Sequence, residues 1–195
     1  MNKEKLINNN GDVLEGPLKI IPEIFYDKRG YFYESWNQLK FQKLISSNVD
    51  FVQDNHSFSK KGTLRGLHYQ LPNMPQGKLI RCTSGCIYDV IVDIRKSSTT
   101  FGTWFGCELS DENKILLWVP AGFAHGFLTL SNDAEVQYKT THFWKKELEK
   151  TIIWNDSEIN IEWPIYKTNL INPILSEKDS MADKFLIKIE KGEIF

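Results

Sequence analysis

The chain has no run approaching the roughly 20 apolar residues of a membrane-spanning helix, and its opening, M-N-K-E-K-L-I-N-N-N-G, lacks the apolar segment of a secretory signal. It also lacks an excess of either charge. With 24 Lys and Arg against 25 Asp and Glu, no broad field favours nucleic acid or an anionic membrane surface, so an anionic ligand must be held by a local cluster. Cysteine is scarce: Cys82, Cys86 and Cys107 are odd in number, which fits reduced thiols in the cytoplasm better than a disulfide framework. There is no internal repeat and no low-complexity linker beyond the polar opening residues. These absences leave one expectation, a single cytoplasmic domain over residues 1–195.

What is present is β-structure. A chain of 195 residues with 41% hydrophobic residues can bury a sizeable core. From Phe51 to Lys139, β-prone runs follow one another, separated by Lys61-Gly62, Ser84-Gly85 and Ser131-Asn132-Asp133. That spacing is the mark of an all-β sandwich or closed barrel, and a jelly roll with a few short peripheral helices is the expectation. Pro17 and Pro22 argue that the first segment is an edge strand or an arm over a neighbour. Asp27-Lys28-Arg29-Gly30 reads as a hairpin turn. Asn37–Ser46 reads as a helix, with Asn37 as N-cap and Phe41, Leu44 and Ile45 on one face. A second short helix is expected around Lys145–Lys150, and Leu175–Asp179 as a segment returning to the barrel mouth.

The stretch L-R-G-L-H-Y-Q-L, Leu64–Leu71, is short of apolar side chains on one face. Strict alternation puts Leu64, Gly66, His68 and Gln70 together and Arg65, Leu67, Tyr69 and Leu71 opposite. The four histidines are His56, His68, His125 and His142. Barrels with histidine-lined mouths often hold a divalent ion, but a compact ligand set is missing: Gln70 stands where a second histidine would be expected. The alternative is proton chemistry, with an imidazole base oriented by a carboxylate, for which Asp89, Asp93 and Asp179 are candidates. A lone histidine is also commonly structural. Arg65 and Lys78 would neutralise a negative substrate, and Tyr138, on the inward set Ala134, Val136, Tyr138 and Thr140, offers a phenol. His125 lies between Gly122 and Gly126 and reads equally well as a turn residue. Phe32 and Glu34 share a face after Arg29, suited to stacking a base and accepting its N–H or to plain edge decoration.

The ordered strings D-K-R-G-Y-F-Y-E-S, F-V-Q-D-N-H-S, G-T-L-R-G-L-H-Y-Q, Q-G-K-L-I-R, V-D-I-R-K-S-S-T-T-F-G, V-P-A-G-F-A-H-G-F, Y-K-T-T and L-S-E-K-D together resemble the dTDP-4-dehydrorhamnose 3,5-epimerase family, from about Gly16 to Asp179. The resemblance implies an all-β cupin jelly-roll barrel without metal or cofactor, a homodimer, and a dTDP-4-dehydro-6-deoxy-D-glucose substrate on the route to dTDP-L-rhamnose. It makes His68 the catalytic base, Asp179 its orienting carboxylate, Tyr138 the general acid and Lys78 the cation beside the C4 oxygen. Arg65, His125, Gln53, Asn55, Lys178 and Glu149 fall on substrate-contacting positions, and Arg29, Phe32 and Glu34 on nucleotide contacts that a neighbouring subunit supplies. His142-Phe143-Trp144 departs from the family pattern, with Trp144, a ring able to stack on the thymine, where a tyrosine is usual. The rival readings are a single-site epimerase acting on C3 or C5 of a related ketosugar, a sugar-nucleotide-binding cupin without catalysis, and a metal-dependent cupin oxygenase.

Overall fold

Turn residues divide the chain into thirteen strands, three short α-helices and one 3-10 turn at Ile165–Thr168, which the computed structural model describes over all residues, Met1–Phe195. In order they are β1 (Asn2–Ile7), β2 (Val13–Ile21), β3 (Ile24–Asp27), β4 (Gly30–Tyr33), α1 (Gln38–Ile45), β5 (Gln53–Lys60), β6 (Leu64–Gln70), β7 (Lys78–Ser84) and β8 (Cys86–Asp93). There follow β9 (Trp104–Ser110), β10 (Leu116–Val119), β11 (Phe123–Thr129), β12 (Asp133–Thr140), β13 (Glu149–Thr151), α2 (Glu177–Ser180) and α3 (Phe185–Glu190). One sheet has the order β1-β2-β10-β7-β12-β5 and the other β13-β6-β11-β8-β9. Strands distant in sequence are neighbours in space and pair antiparallel, giving the expected jelly-roll barrel. No helix is long and apolar enough to cross a membrane.

Period-2 alternation produces two apolar faces per sheet, and each is covered. Between the sheets, Ile80, Leu117 and Val136 meet Ile87, Ile91 and Phe127. Outside the six-stranded sheet, Phe41 of α1 packs on Leu18, Leu79 and Trp118, with Leu44 and Ile45 at the margin, as the helix pattern predicts. Asn37 caps α1 by accepting from the Lys40 amide. Outside the five-stranded sheet, Leu64, Leu67, Tyr69, Val90 and Leu128 are covered by Ile152, Ile159, Trp163 and Phe185 of the C-terminal segment. Each such Leu, Ile or Phe contributes about 1.5–3 kcal/mol by burial. The long irregular tail therefore holds α2 against the barrel.

Four local expectations change. The segment Lys145–Lys150 is a turn followed by β13, because its hydrogen bonds return to Lys145 and Glu149 then pairs with Gln70 on β6. The opening residues form β1, paired with β2. β2 is not an edge strand: it lies between β1 and β10, and Pro17 is accommodated because the β1 register jumps from Leu18 to Leu14 around it. Most consequential is β6. His68 pairs with His125 and Arg65 with Phe127, so β6 advances three residues while β11 advances two. This bulge resets the alternation, placing Leu64, Leu67 and Tyr69 together in the outer core and freeing Arg65 to reach the other sheet, where it donates to Ser59 Oγ (2.9 Å) and the Phe58 carbonyl (3.0 Å).

Gly66 makes the bulge possible. Its φ is +126°, and a Cβ there would lie 2.6 Å from Gly126 Cα and 2.8 Å from the His125 carbonyl oxygen. Both are backbone atoms of a central strand and neither can yield cheaply. Gly66→Ala is expected to cost about 3 kcal/mol or more, read as a lowered urea midpoint or as loss of soluble protein.

Candidate active site

The bulge leaves His68 as the polar residue of β6 nearest the short helix α2. Its Nε2 lies 2.5 Å from Asp179 Oδ1. Asp179 is the buried residue of α2, whose N-cap Ser176 accepts from the Asp179 amide at 3.1 Å. Burial alone would raise the Asp179 carboxyl, but the hydrogen bond and charge of His68, with Ser176 and Lys178, bring it below the usual carboxylate range. Burial lowers the His68 imidazole below its ordinary value, outweighing the opposing pull of Asp179, and Lys178 and Lys78 add to the lowering. An ionised Asp179 beside a neutral His68 makes Nε2 the donor and leaves the lone pair on Nδ1, the state a general base requires.

Lys78 opens β7 and is only 8% exposed. Its Nζ donates to the His68 carbonyl at 3.3 Å. Burial lowers its ammonium to about 8, against partial support from Glu149 and Asp89. It is a cation held close to the dyad with no ion pair of its own, and so is available to a developing anion. Tyr138 on β12 packs with the inter-sheet core, on the same face as Ala134 and Val136 as expected. Burial raises its phenol, Glu149 adds to this and Arg65 opposes it, so the hydroxyl keeps its proton.

Beside His68, on β11, His125 forms a second buried imidazole–carboxylate pair: Nε2 is 2.9 and 3.0 Å from the two oxygens of Asp89. Asp89 was a candidate partner for His68, and so was Asp93. The structure gives Asp89 to His125 and Asp93 to Arg95, Ser98 and Thr100. No group of three or more His, Cys, Asp or Glu side chains converges as a protein-held metal needs. His56 turns to Glu135 and Gln137, and Cys82, Cys86 and Cys107 are free thiols.

A rim of amides and charges surrounds these groups. Asn55 lies directly across from Tyr138 in the β5–β12 pair, and Gln53 donates to Asn55 Oδ1 (2.9 Å) while accepting from the Trp144 amide (2.9 Å). Glu149 accepts from Lys178 at 2.9 Å, which brings β13 to α2. Gln70, which stands at the missing ligand position, is a buried staple: its amide donates to the carbonyls of Met74 and Phe143 and accepts from the Lys145 amide. It thereby fixes the loop that carries Trp144, a half-exposed ring. Sequence reading passed over this role, and its one signal was a polar residue on the buried side of a strand.

Arg29, Phe32 and Glu34 are not joined to the dyad within the chain. They belong to the β3–β4 ribbon and the residue after it, and that ribbon pairs with no other strand. Arg29 turns back on Asp27 (2.6 Å), Glu34 pairs with Lys40 (2.9 Å), and Phe32 is 70% exposed.

The chain is similar to known proteins over most of its length. The sequence model of the dTDP-4-dehydrorhamnose 3,5-epimerase family matches residues 12–186. A dTDP-4-dehydrorhamnose 3,5-epimerase of Shigella flexneri is 56% identical over 165 residues, covering 85% of this chain and 88% of that protein. Among solved structures, the dTDP-6-deoxy-D-glucose-3,5-epimerase of Legionella pneumophila, in complex with dTDP-4-keto-L-rhamnose, is 40% identical with a TM-score of 0.88, covering 99% of this chain and 97% of that one. The Mycobacterium tuberculosis epimerase superposes with a TM-score of 0.93 at 33% identity, covering all of this chain and 93% of the other.

Proposed function

The chain belongs to the dTDP-4-dehydrorhamnose 3,5-epimerase family and is an isomerase, and on that premise we propose that it inverts C3 and C5 of dTDP-4-dehydro-6-deoxy-D-glucose by proton transfer through His68, Tyr138 and Lys78. The observation that carries the reading is the His68–Asp179 pair beside an unpaired buried lysine. In a 4-ketosugar the C–H bonds at C3 and C5 flank the carbonyl. His68 Nδ1 takes the proton from one face, and the electron pair moves to the C4 oxygen as an enolate, where the Lys78 ammonium stabilises it. The Tyr138 hydroxyl then gives its proton to the opposite face, and the stereocentre is inverted. Imidazolium and phenolate return to their resting states by exchange with solvent, so the sequence repeats at the second carbon with no net redox change and no cofactor.

Arg65 and Lys178 supply charge for the diphosphate. His125, Gln53, Asn55, Glu149 and Trp144 line the sugar and nucleotide. Arg29, Phe32 and Glu34 serve the site of a second copy. The ribbon exposes Phe25, Tyr26, Tyr31 and Phe32, and a two-stranded ribbon is marginal on its own, which supports a homodimer in which the ribbon is covered. Three free thiols fit a reducing, cytoplasmic setting. Phe32→Asp is expected to weaken the dimer, read by light scattering against concentration, and to raise KM more than it lowers kcat.

The test of activity is a coupled assay. The purified protein, given the dTDP-4-keto-6-deoxyglucose and the matching NADPH-dependent ketoreductase, is expected to support NADPH oxidation; no oxidation above the reductase alone would refute the proposal. The pH dependence follows from the two perturbed groups. His68 must be neutral, so the rate falls as pH drops through its lowered value, below the ordinary 6.5. Lys78 must be charged, so the rate falls as pH rises through about 8. Lys78→Met is expected to lower kcat about 10²- to 10³-fold, the loss typical of one oxyanion-stabilising donor, and to remove the alkaline limb. An alkaline limb unchanged in that variant would assign it to another group.

A further inference from the structure

The helix that carries Asp179 has no apolar anchor. Its four residues are Glu177, Lys178, Asp179 and Ser180, and Asp179 alone is buried. Beyond the Asp179–His68 and Lys178–Glu149 contacts, its position is set by what flanks it. Upstream, Ile174 exchanges backbone hydrogen bonds with Gly62 and Leu64. Downstream, the Asp183 carbonyl accepts from the Ile153 amide at 2.9 Å, just beyond β13.

The Asp183 side chain leads to a buried ammonium. Lys188 of α3 is 7% exposed, and its Nζ lies 3.0 Å from Asp183 Oδ2 and 3.0 Å from Glu193 Oε2. Glu193 also receives Lys150 Nζ of β13 at 2.5 Å, and Lys191 meets Asp183 at 2.8 Å from the solvent side. The Glu193 carbonyl accepts from the Tyr69 hydroxyl at 2.7 Å. Tyr69 is the β6 residue next to His68. One buried cation thus ties two carboxylates whose backbones hold the two halves of the dyad: Asp183, four residues beyond Asp179, and Glu193, bonded to the neighbour of His68.

We propose that Lys188, through Asp183 and Glu193, is a positioning residue that keeps Asp179 in register with His68. It touches no substrate. A long side chain is buried at the junction of two partly exposed carboxylates; without it Asp183 keeps Lys191 and Glu193 keeps Lys150, but nothing ties the two carboxylates to each other. The carboxylates are then free to move apart, the backbone bond to Ile153 is left as the downstream hold on α2, and the separation of Asp179 from His68 is less tightly fixed. The inference rests on the assignment of His68 as base.

Lys188→Met, which keeps the stem and removes the charge, tests it in the full-length protein. The expected result is a kcat lowered about tenfold or more, the scale on which outer supports of a site act, with KM little changed. The groups facing His68 are Asp179, which raises its pKa, and Lys178 and Lys78, which lower it, so loosening Asp179 moves the acid limb of kcat to lower pH. The downfield imidazole proton resonance of the dyad, identified by its absence in His68→Asn, should broaden or vanish. Lys188→Arg, which retains the charge, should restore most of the rate. Phe41→Leu, in the core beneath α1, serves as the stability control: it should lower the melting temperature and leave acid limb and resonance in place. If Lys188→Met does not fold, Glu193→Gln is read in the same way. A folded variant of either residue with kcat, acid limb and resonance unchanged overturns the inference; activity retained by His68→Asn overturns instead the base assignment beneath it.

Discussion

His68→Asn is expected to abolish epimerisation and to stop solvent deuterium entering either C3 or C5. The substitution preserves size, and its amide can still donate to Asp179, so the buried carboxylate keeps a partner. It removes the titratable nitrogen to which the proposed mechanism assigns proton abstraction. A general base contributes about 10²- to 10⁴-fold, and one base serving both carbons puts the loss on both. The loss of rate should not come from unfolding. Leu64, Leu67 and Tyr69 carry the packing of β6 on its outer face, whereas His68 points toward α2, so the melting temperature should stay within a few degrees. Deuterium wash-in measured by proton NMR separates the alternatives: exchange at the wild-type rate would mean that another group removes the protons.

Tyr138→Phe should give a different defect, exchange without inversion. The ring keeps its place in the inter-sheet core, and only the hydroxyl is lost. His68 still removes the proton, its imidazolium exchanges with solvent, and the proton returns to the face it left. The ketosugar therefore gains deuterium while keeping its configuration, and product formation falls about 10²- to 10⁴-fold. Burial holds the phenol above its ordinary value, which suits a proton donor and places the wild-type alkaline limb on Lys78. Inversion in Tyr138→Phe at an undiminished rate would remove the tyrosine from the mechanism. Comparison with His68→Asn is informative because the two variants should differ in kind: one loses exchange, the other loses only its stereochemical outcome.

The strands from β5 to β12 were legible because alternation and turn residues both report on a half-buried sheet, and α1 because its cap and apolar face coincide. β1 was not legible, since Leu6 is its single buried residue and leaves no period to detect. The faces of β6 were misread for a physical reason: a bulge at Gly66 shifts the phase of alternation, and alternation is the only local signal of a face. The same limit applies to pairing. His125 finds Asp89 diagonally across two strands, and His68 finds Asp179 from 111 residues away, neither of which a local pattern can specify. Leu175–Asp179 does return to the barrel, as the sequence suggested, but the ion pairs proposed to steady it there, Lys188 with Asp183 and Glu193, carry no motif. Residue chemistry singled out His68, Asp179, Arg65, Lys78 and Tyr138 as candidates, the family resemblance implied their separate roles, and the fold supplied their mutual distances.

The most direct measurement is NMR of the wild-type reaction in D2O, with the dTDP-4-keto-6-deoxyglucose as substrate and the ketoreductase trapping the product. The expected result is one deuteron at C3 and one at C5, with both centres inverted to the L-rhamno configuration. Deuterium and inversion at a single carbon would contradict it and indicate a mono-epimerase, and deuterium at neither would remove proton abstraction from the function of this site.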